Sequence, residues 1–187
     1  MEEEVKKTVE HLKAGKVVLY PTDTIWGLGC DATNEEAVKK IYSVKERAES
    51  KALIILIGEI HQLYYYAEEV PEIAWDIVEF SEKPLTIIYP KGKNLAPSLM
   101  NEDGSIAIRL VQDEFCQRVI KKLGKALVST SANISTQPSP QNFSEISQEV
   151  IDRVDYVVDH RRNETAKATP STIMKLGLNG EVSFIRK

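Results

Sequence analysis

The sequence has few of the residues that mark several large classes of protein. Its 187 residues include 2 cysteines and 3 histidines, and neither type is spaced as a set of metal ligands. Its longest apolar run, residues 52–58, is too short to cross a bilayer. The acidic N-terminus, Met1-Glu2-Glu3-Glu4, does not resemble a secretory signal. We therefore expect a cytoplasmic, globular protein with no membrane segment and no structural metal site.

Basic residues are not in excess either. Lys and Arg number 24 and Asp and Glu number 28, which gives a formal net charge of −4 at pH 7. A protein whose main task is to coat nucleic acid carries a clear basic surplus, so this class is disfavoured. A basic cleft that binds double-stranded RNA stays open as an alternative, because net charge does not fix where the charges lie.

Patterns typical of helices and strands alternate along most of the chain, and its length fits one domain over residues 1–187. Strands are predicted at residues 16–20, 53–57, 85–89, 105–110, 126–130, 156–159, 172–176 and 182–186. Helices are predicted before Gly15, after a Thr33/Glu36 capping box, over 60–69, 71–80 and 113–124, and after Asn142 paired with Glu145. This alternation predicts an α/β fold in which helices pack on a twisted, largely parallel sheet. The Asn179-Gly180 turn predicts a terminal hairpin, which makes the sheet mixed, with parallel and antiparallel pairs.

Polar residues concentrate where predicted strands end, which is where open α/β sheets build their sites. The first cluster spans residues 21–29 and contains Thr22 and Thr24, whose hydroxyls either bind a ligand or cap a turn. Its glycines match the dinucleotide-binding pattern only loosely, and a tight turn explains Gly29 better.

Cations form the second cluster, in which Lys51 follows Lys45 and Arg47. Positive charges at the end of a helix complement its dipole by about 0.3–1 kcal/mol each, which is a sufficient structural explanation. Residues two apart face different directions within a helix, so Lys45 and Arg47 converge only if the chain has left the helix. In that case, three nearby cations would suit a polyphosphate.

Two further segments supply polar groups at strand positions. Alternation places Ser105, Ala107 and Arg109 on one face, where they are either solvent-exposed or line an open space. The extended segment 129–133, which continues towards Ser139, carries small hydrogen-bonding groups. These groups either cap the following loop or hold a nucleotide.

Residues 161–168 contain no large apolar side chain and are predicted to form a mobile loop. The loop leads into Pro170-Ser171, just before the hairpin that ends with Arg186. The loop is either an idle exposed connection or a lid over a site at Ser171, and if Ser171 binds a ligand we predict the lid. The sequence contains no Walker A loop, no H-E-x-x-H motif and no recognisable Ser-His-Asp set. An enzyme of this sequence would work by positioning and charge neutralisation.

Five motifs occur in a fixed order along the chain: Tyr20-Pro-Thr-Asp-Thr-Ile-Trp-Gly-Leu-Gly29, Lys45-x-Arg47, Ser105-x-Ala-x-Arg109, Ser129-Thr-Ser-Ala-Asn-Ile-Ser135 and Pro170-Ser-Thr-Ile173. In this combination, the chain resembles the YrdC-like family of threonylcarbamoyl-AMP synthases. The resemblance implies the YrdC-like fold in its short, single-domain form. The chain departs from the family pattern at Ala48 and Ala52, where proline is usual, and at Thr136, where glycine is usual.

The resemblance implies a nucleotidyltransferase that converts L-threonine, bicarbonate and ATP, with magnesium, into threonylcarbamoyl-AMP and pyrophosphate. A downstream threonylcarbamoyl transferase would then modify adenosine 37 of tRNAs that read codons starting with A. Weak RNA binding is compatible with this activity. Two alternatives remain, a module that binds double-stranded RNA and a YrdC-like relative that makes another acyl-adenylate.

Site residues follow from the resemblance one by one. Threonine would be surrounded by Thr24, Arg109, Ser129 and Ser171, with Arg109 pairing its carboxylate. ATP would be held by Arg47, Lys51, Ser105, Ser131, Asn133, Ser139 and Arg186. The charge that moves onto pyrophosphate would be stabilised by Lys45 and Arg47. The resemblance assigns no acid, no base and no metal ligand.

Overall fold

A computed structural model of the chain describes residues 1–46 and 53–186. Its strands are β1 (Val18–Tyr20), β2 (Gly27–Gly29), β3 (Ile54–Ile57), β4 (Leu85–Tyr89), β5 (Ile106–Leu110), β6 (Leu127–Ser131), β7 (Tyr156–Val157), β8 (Thr172–Leu176) and β9 (Val182–Arg186). Its α-helices are α1 (Glu2–Lys13), α2 (Glu35–Lys45), α3 (Leu63–Tyr66), α4 (Glu72–Glu79), α5 (Glu114–Leu123) and α6 (Gln148–Arg153). These strands form one sheet in the order β7-β1-β2-β6-β3-β5-β4-β8-β9. None of the described helices has the length and apolar character that a membrane span requires.

The sheet is mixed, as the sequence predicts. Within the described ranges, β1–β7, β3–β5 and β4–β8 pair in parallel, and the other five neighbouring pairs are antiparallel. The expectation of a largely parallel sheet is therefore wrong. The connections from β1 to β2 and from β8 to β9 are too short for a crossover helix, so these neighbours run antiparallel. The sequence also does not predict β2, because its Gly-Leu-Gly composition is unfavourable for a strand.

Alternation along the central strand β3 directs its side chains into two cores. Ile55 and Ile57 pack with residues of α2, α3 and α4, whereas Leu56 between them packs with residues of α1 and α5. Helices therefore cover both faces of the sheet. Among the described residues, the core under α1 and α5 includes none from β4, β8 or β9. On that side, the end of the sheet formed by these three strands is not covered by the two helices.

Two helices are capped by other residues than predicted. α2 begins after Asn34, whose side chain accepts the backbone N–H of Ala37 at 3.1 Å, because the Thr33 hydroxyl instead donates to Asp31 at 2.7 Å. In the same way, α6 is capped by the hydroxyl of Ser147. The predicted cap Asn142 precedes only a short 3₁₀ turn.

The helix predicted over 60–69 is much shorter in the structure. It consists of a 3₁₀ turn followed by the four residues of α3. Extended backbone at Ala67 (φ −117°, ψ 135°) ends it. The next N–H, that of Glu68, donates to the carbonyl of Lys91 at 2.9 Å. A contact distant in sequence therefore overrides the local helical pattern.

Other predicted ends are confirmed. Asp113 caps α5 by accepting the backbone N–H of Cys116 at 2.9 Å. The same helix ends at Gly124, which adopts the left-handed conformation with φ 73°. The terminal hairpin forms as predicted from β8 and β9, with Gly180 at φ 81° in its turn.

Candidate functional site

Strand register brings polar residues from several strands onto one face of the sheet. Ile54 of β3 lies opposite Ser129 of β6 on one side and Ala107 of β5 on the other. Two residues further along β5, Arg109 lies opposite Thr86 of β4. Residues two apart in a strand share a face, so these side chains point to the same side. The small side chain of Ala107 leaves an open space between the serine hydroxyl and the guanidinium.

A cavity of about 320 Å³ occupies this space. Its lining includes the following residues that the resemblance implies for substrate binding: Thr24, Arg109, Ser129, Ser131, Ser139, Ser171 and Arg186. Most of the remaining wall is apolar and includes Ile25, Trp26, Leu53, Ile54, Ile88 and Ile173. Among the described residues, no carboxylate lines the cavity. It therefore offers hydroxyls and positive charges to a ligand.

Arg109 is a buried charge, with 4% of its surface exposed. Solvent exposure, the alternative that the sequence leaves open, is therefore wrong for this residue. Its Nη1 donates to Thr24 Oγ1 at 2.9 Å, and its Nη2 lies 3.2 Å from Asp23 Oδ1. Its buried Nε has no hydrogen-bond partner among the described residues. Buried polar groups are almost always paired, so this N–H is a donor available to a ligand.

The hydroxyl of Thr24 belongs to a chain of hydrogen bonds whose directions can be assigned. Thr22 Oγ1 donates to the carbonyl of Ile25 at 2.8 Å, which uses its only hydrogen. In the 2.9 Å contact between the two threonine hydroxyls, Thr24 is then the donor. Thr24 Oγ1 also accepts from Arg109, so it offers a ligand only its second lone pair. Thr22 thus stabilises the turn, whereas Thr24 is suited to accept a ligand N–H.

Ser171 and Arg186 reach the cavity from the C-terminal part of the chain. Ser171 is buried, and its hydroxyl lies 2.8 Å from that of Thr86, the neighbour of Arg109 in the sheet. Arg186 holds this segment, since its Nε and Nη2 donate to the Ser171 carbonyl at 3.0 and 2.8 Å. Burial and, second, the charge of Arg109 lower the pKa of Arg186. Two guanidinium groups in one cavity favour an anionic ligand.

Gly27 and Gly29 lie within β2 and not in a turn, which corrects the expectation for Gly29. A Cβ on Gly29 would lie 2.4 Å from the carbonyl oxygen of Val128 and 2.6 Å from Cε1 of Tyr20. A Cβ on Gly27 would lie 3.2 Å from Ser129 Oγ. The two glycines therefore allow β2 to pass close to β6, and this brings the polar ends of both strands into one cavity.

Lys45 and Asn133 are buried and do not line the cavity. Lys45 Nζ donates to the carbonyls of Ser131 and Asn133 at 2.6 and 2.8 Å. Asn133 Nδ2 donates in turn to the carbonyls of Ile134 and Gln137 at 3.0 and 2.6 Å. Both side chains thus fix the segment that follows β6. A direct contact of either side chain with ATP stays a prediction.

Ser105 also lies outside the cavity wall, although its neighbour Asn101 is part of it. The Ser105 hydroxyl accepts from Asn101 Nδ2 at 2.8 Å, and its backbone N–H donates to Asp103 at 3.0 Å. The predicted ATP ligands Arg47 and Lys51 fall outside the described residues. The assignment of all three residues to ATP stays a prediction.

Magnesium, which the resemblance implies, takes oxygen ligands and is usually held by one or two carboxylates together with substrate phosphates. The described residues contain no group of three or more His, Cys, Asp or Glu side chains that could hold a metal ion. With a wall that lacks carboxylates, the described part of the cavity does not fit a magnesium site built by the protein alone.

Residues 161–168 are anchored through Arg161 and Arg162, and the predicted mobility of the rest of this loop stays a prediction. Arg161 donates to Asp113 Oδ2 at 2.8 Å and to the carbonyl of Thr22 at 3.1 Å. Arg162 donates to the carbonyl of Val158 at 2.9 Å. Ion pairs and carbonyl contacts thus replace the apolar contacts that the loop lacks. The loop lies beside Thr22, but no contact tests whether it closes over the cavity. The lid therefore stays a prediction.

Fold and cavity together define an α/β protein with a small-molecule cavity, rich in hydroxyls and guanidinium groups, at the open end of a mixed sheet. The chain belongs to the Sua5/YciO/YrdC family, because the family profile, described as telomere recombination, matches residues 10–187. The resemblance of the five motifs to the YrdC-like family is thereby confirmed.

Individual relatives agree with the family assignment. A threonylcarbamoyl-AMP synthase of Idiomarina loihiensis is 34% identical over 161 residues, which cover 84% of this chain and 86% of the relative. A putative threonylcarbamoyl-AMP synthase of Methanocaldococcus jannaschii is 39% identical over 181 residues, 94% of this chain and 83% of the relative. The crystal structure of P. abyssi Sua5 complexed with L-threonine matches with a TM-score of 0.84 at 28% identity and 94% coverage of this chain. This chain spans 52% of the length of the Sua5 chain. The similarity of the two structures confirms the predicted YrdC-like fold.

Sequence reasoning assigned no role to three residues that support the cavity. Asp23 contacts Arg109, Thr86 contacts Ser171, and Asn101 forms part of the wall. Thr86 could have been noticed in the sequence. Apart from the tyrosine at its end, β4 is otherwise aliphatic, and Thr86 is its one small hydroxyl residue. The partners of Asp23 and Asn101 could not be found from spacing, since they depend on how distant segments meet.

Proposed function

We propose that the chain is a threonylcarbamoyl-AMP synthase, which converts L-threonine, bicarbonate and ATP into threonylcarbamoyl-AMP and pyrophosphate. The observation that carries the proposal is the buried guanidinium of Arg109, whose Nε–H has no partner among the described residues, beside the hydroxyls of Thr24, Ser129 and Ser171. Support comes from the two relatives with this name and from the Sua5 complex with L-threonine.

Threonine recognition follows from the donors and acceptors of the cavity. A carboxylate pairs with Arg109, which can donate two parallel hydrogen bonds to it. The free lone pair of Thr24 accepts from the amino group, in agreement with the direction of its hydrogen bonds. Burial strengthens both contacts, because the effective dielectric constant is lower than in water.

The chemistry then needs positioning and positive charge. The amine of threonine loses a proton and attacks the carbon of bicarbonate, so that a carbamate forms and water leaves. A carbamate oxygen attacks the α-phosphorus of ATP, and the bond to pyrophosphate breaks. Arg186, with the predicted ligands Arg47 and Lys51, stabilises the charge that moves onto pyrophosphate. Magnesium would enter this site with the phosphates of ATP.

Further steps of the proposal concern the product. Threonylcarbamoyl-AMP would be passed, in the cytoplasm, to a threonylcarbamoyl transferase that modifies adenosine 37 of tRNA. The alternative of a module for double-stranded RNA gains no support from the site, since a cavity of about 320 Å³ is too small to admit a duplex. Weak RNA contact elsewhere on the surface would be compatible with synthesis.

Pyrophosphate release tests the proposed function directly. We expect release from ATP only when threonine and bicarbonate are both present, with label from ¹⁴C-bicarbonate appearing in an adenylate of the expected mass. Arg109→Ala should abolish the product. Arg118→Ala is the matched control, because Arg118 is an exposed arginine of α5 that pairs with Glu2 and Glu114. Release that needs another acid in place of threonine would instead support a relative that makes a different acyl-adenylate.

A further inference from the structure

We propose that Asp23 is a positioning residue, which holds the guanidinium of Arg109 so that its Nε edge stays open for the carboxylate of threonine. This inference rests on the proposed function and adds a residue to it. Asp23 is not among the residues that line the cavity in the described part of the chain, so it acts through Arg109 and not on the ligand.

The carboxylate of Asp23 is fixed relative to the strand that carries Arg109. Its Oδ2 accepts the backbone N–H of Gln112 at 2.9 Å, and Gln112 follows the end of β5 by two residues. The side chains of Asp23 and Arg109 are 13% and 4% exposed. A largely covered carboxylate tied to the backbone has little freedom to follow the guanidinium, so it favours one position of that group.

The contact between Asp23 and Arg109 does not use every donor of the guanidinium group. Asp23 Oδ1 lies 3.2 Å from Arg109 Nη2, yet neither Oδ1 nor Arg109 Nε has a hydrogen-bond partner among the described residues. Thr24 accepts from Nη1. The Nε and Nη2 hydrogens of a guanidinium lie side by side on one edge and can bind a carboxylate with two parallel bonds. Thr24 thus holds Nη1 and Asp23 lies beside Nη2, while on this edge the Nε–H has no partner among the described residues.

Two readings of Asp23 make opposite predictions. If its charge acted only by electrostatics, it would repel a second carboxylate near Arg109, and its removal would strengthen threonine binding. If it positions the guanidinium, its removal weakens threonine binding, because Arg109 then occupies several orientations. The sign of the change in affinity therefore distinguishes the two.

The test compares Asp23→Asn with the wild-type protein in full length. We expect the Kd for L-threonine, measured by calorimetry, to rise at least tenfold. The KM for threonine should rise in parallel, while kcat at saturating threonine and the KM for ATP change less than twofold. Unchanged or tighter threonine binding would overturn the inference. If the wild-type protein binds no threonine, the proposed function fails first, and the two failures are therefore distinguishable.

Asp155→Asn is a matched control. Asp155 also joins a backbone N–H to a cation, since it accepts from Val17 N at 2.8 Å and from Lys40 Nζ at 2.6 Å, and it does not line the cavity. Its substitution should leave the Kd for threonine unchanged. If the Kd for threonine rose as much as in Asp23→Asn, the effect would come from a general loss of stability of the fold. That result would overturn the inference.

A second measurement needs no variant of Asp23, in case Asp23→Asn does not fold. The Nε–H signal of Arg109 can be assigned in a ¹⁵N spectrum by its loss in Arg109→Lys. We expect one sharp signal in the free wild-type protein, which moves on titration with threonine and saturates with the calorimetric Kd. A signal averaged over several orientations in the free protein would contradict a fixed guanidinium. A signal that threonine does not shift would contradict an Nε edge that is open to the ligand.

Discussion

The two ends of the cavity differ in how firmly the protein holds their side chains. At one end, Arg109, Ser129 and Ser171 are exposed by only 4%, 9% and 3% and lie on or beside paired strands. Among the residues assigned to ATP, which we call the open end, Arg186 belongs to the edge strand β9, whose residues are all exposed, and Ser139 is exposed as well, although the Arg186 guanidinium contacts Ser171. The proposed threonine end is thus built before any ligand arrives, whereas the described part of the proposed ATP end is open.

Ligand size offers a reason for this difference. Threonine is small and presents few groups, so its affinity depends on donors that are already oriented and lose little freedom on binding. ATP carries several charges and a large surface, so exposed cations can contribute to its binding. If this comparison is right, changes at the buried end affect folding or threonine binding, and changes at the open end affect ATP alone.

The largest effect on stability is expected from Gly29→Ala in β2, the strand that contributes Gly27 to the cavity wall. The added Cβ would lie 2.4 Å from the carbonyl oxygen of Val128, so β2 and β6 would have to separate. We expect the free energy of unfolding, measured by denaturant titration, to fall by about 3 kcal/mol. Gly58→Ala is the control, because its Cβ would meet no atom closer than 3.5 Å. Equal losses in both variants would show that the close approach of the strands is not the constraint.

Gly29 also shows where the sequence is insufficient. The α/β class, the terminal hairpin and both ends of α5 were predicted because their signals lie within a few residues, such as Asp113 and Gly124 as caps. The pairing of β2 with β6 joins segments about a hundred residues apart, as in the pairing of Leu28 with Thr130. No residue pattern near either segment predicts this pairing. The same glycine was therefore assigned to a turn.

The site was predictable to a similar extent. Alternation predicted that Ala107 and Arg109 share a face, and the structure places both in the cavity wall. The contact between Thr86 and Ser171 was not predictable, because it depends on the parallel pairing of β4 with β8. Local periodicity therefore indicates which side chains share a face, but not which distant group lies beside them.

The largest expected effect on binding is that of Arg109→Lys. Lysine cannot donate two parallel hydrogen bonds to a carboxylate, and it also leaves Thr24 and Asp23 without their partner. We expect threonine affinity, measured by calorimetry, to fall at least thirtyfold, or about 2 kcal/mol, and ATP affinity to change less than threefold. Arg118→Lys on exposed α5 should change neither. An unchanged Kd for threonine would remove Arg109 from the threonine site.

A smaller effect is expected at the open end from Arg186→Gln. Loss of one charge-assisted contact with a phosphate should weaken ATP binding about tenfold, or about 1.4 kcal/mol. β9 is exposed but Arg186 also donates to the Ser171 carbonyl, so the free energy of unfolding should fall by about 1 kcal/mol. Lys175→Gln is the control on the neighbouring strand, where Lys175 pairs with Asp103.

Arg186→Gln also tests whether the two ends are independent. Arg186 donates to the carbonyl of Ser171, so its loss could displace a residue of the threonine end. We expect threonine affinity to fall less than threefold, since the Ser171 hydroxyl keeps its contact with Thr86. An equal loss of threonine and ATP affinity would mean that the cavity responds as one unit, and the comparison would fail.

The smallest effect is expected from Arg161→Gln in the loop 161–168. Arg161 ties the loop to Asp113 and to the carbonyl of Thr22, next to Thr24 in the cavity wall. It is 31% exposed, so loss of its ion pairs should lower the free energy of unfolding by less than about 1 kcal/mol. The free variant should nevertheless exchange the backbone amides of this loop several times faster than the wild-type protein.

If the loop is a lid, this exchange should also depend on substrates. In the wild-type protein, ATP and threonine together should slow amide exchange over 161–168, and in Arg161→Gln more of the threonylcarbamoyl-AMP should be lost to hydrolysis. Arg153→Gln is the control, because Arg153 is similarly exposed, at 34%, but pairs with Glu46 and Glu149. The contact of Arg161 with Thr22 is the physical reason to expect coupling, since it joins the loop to the turn that presents Thr24. If neither substrate changed the amide exchange rate over 161–168 and the product yield of Arg161→Gln were unchanged, the loop would be only a connection between β7 and β8.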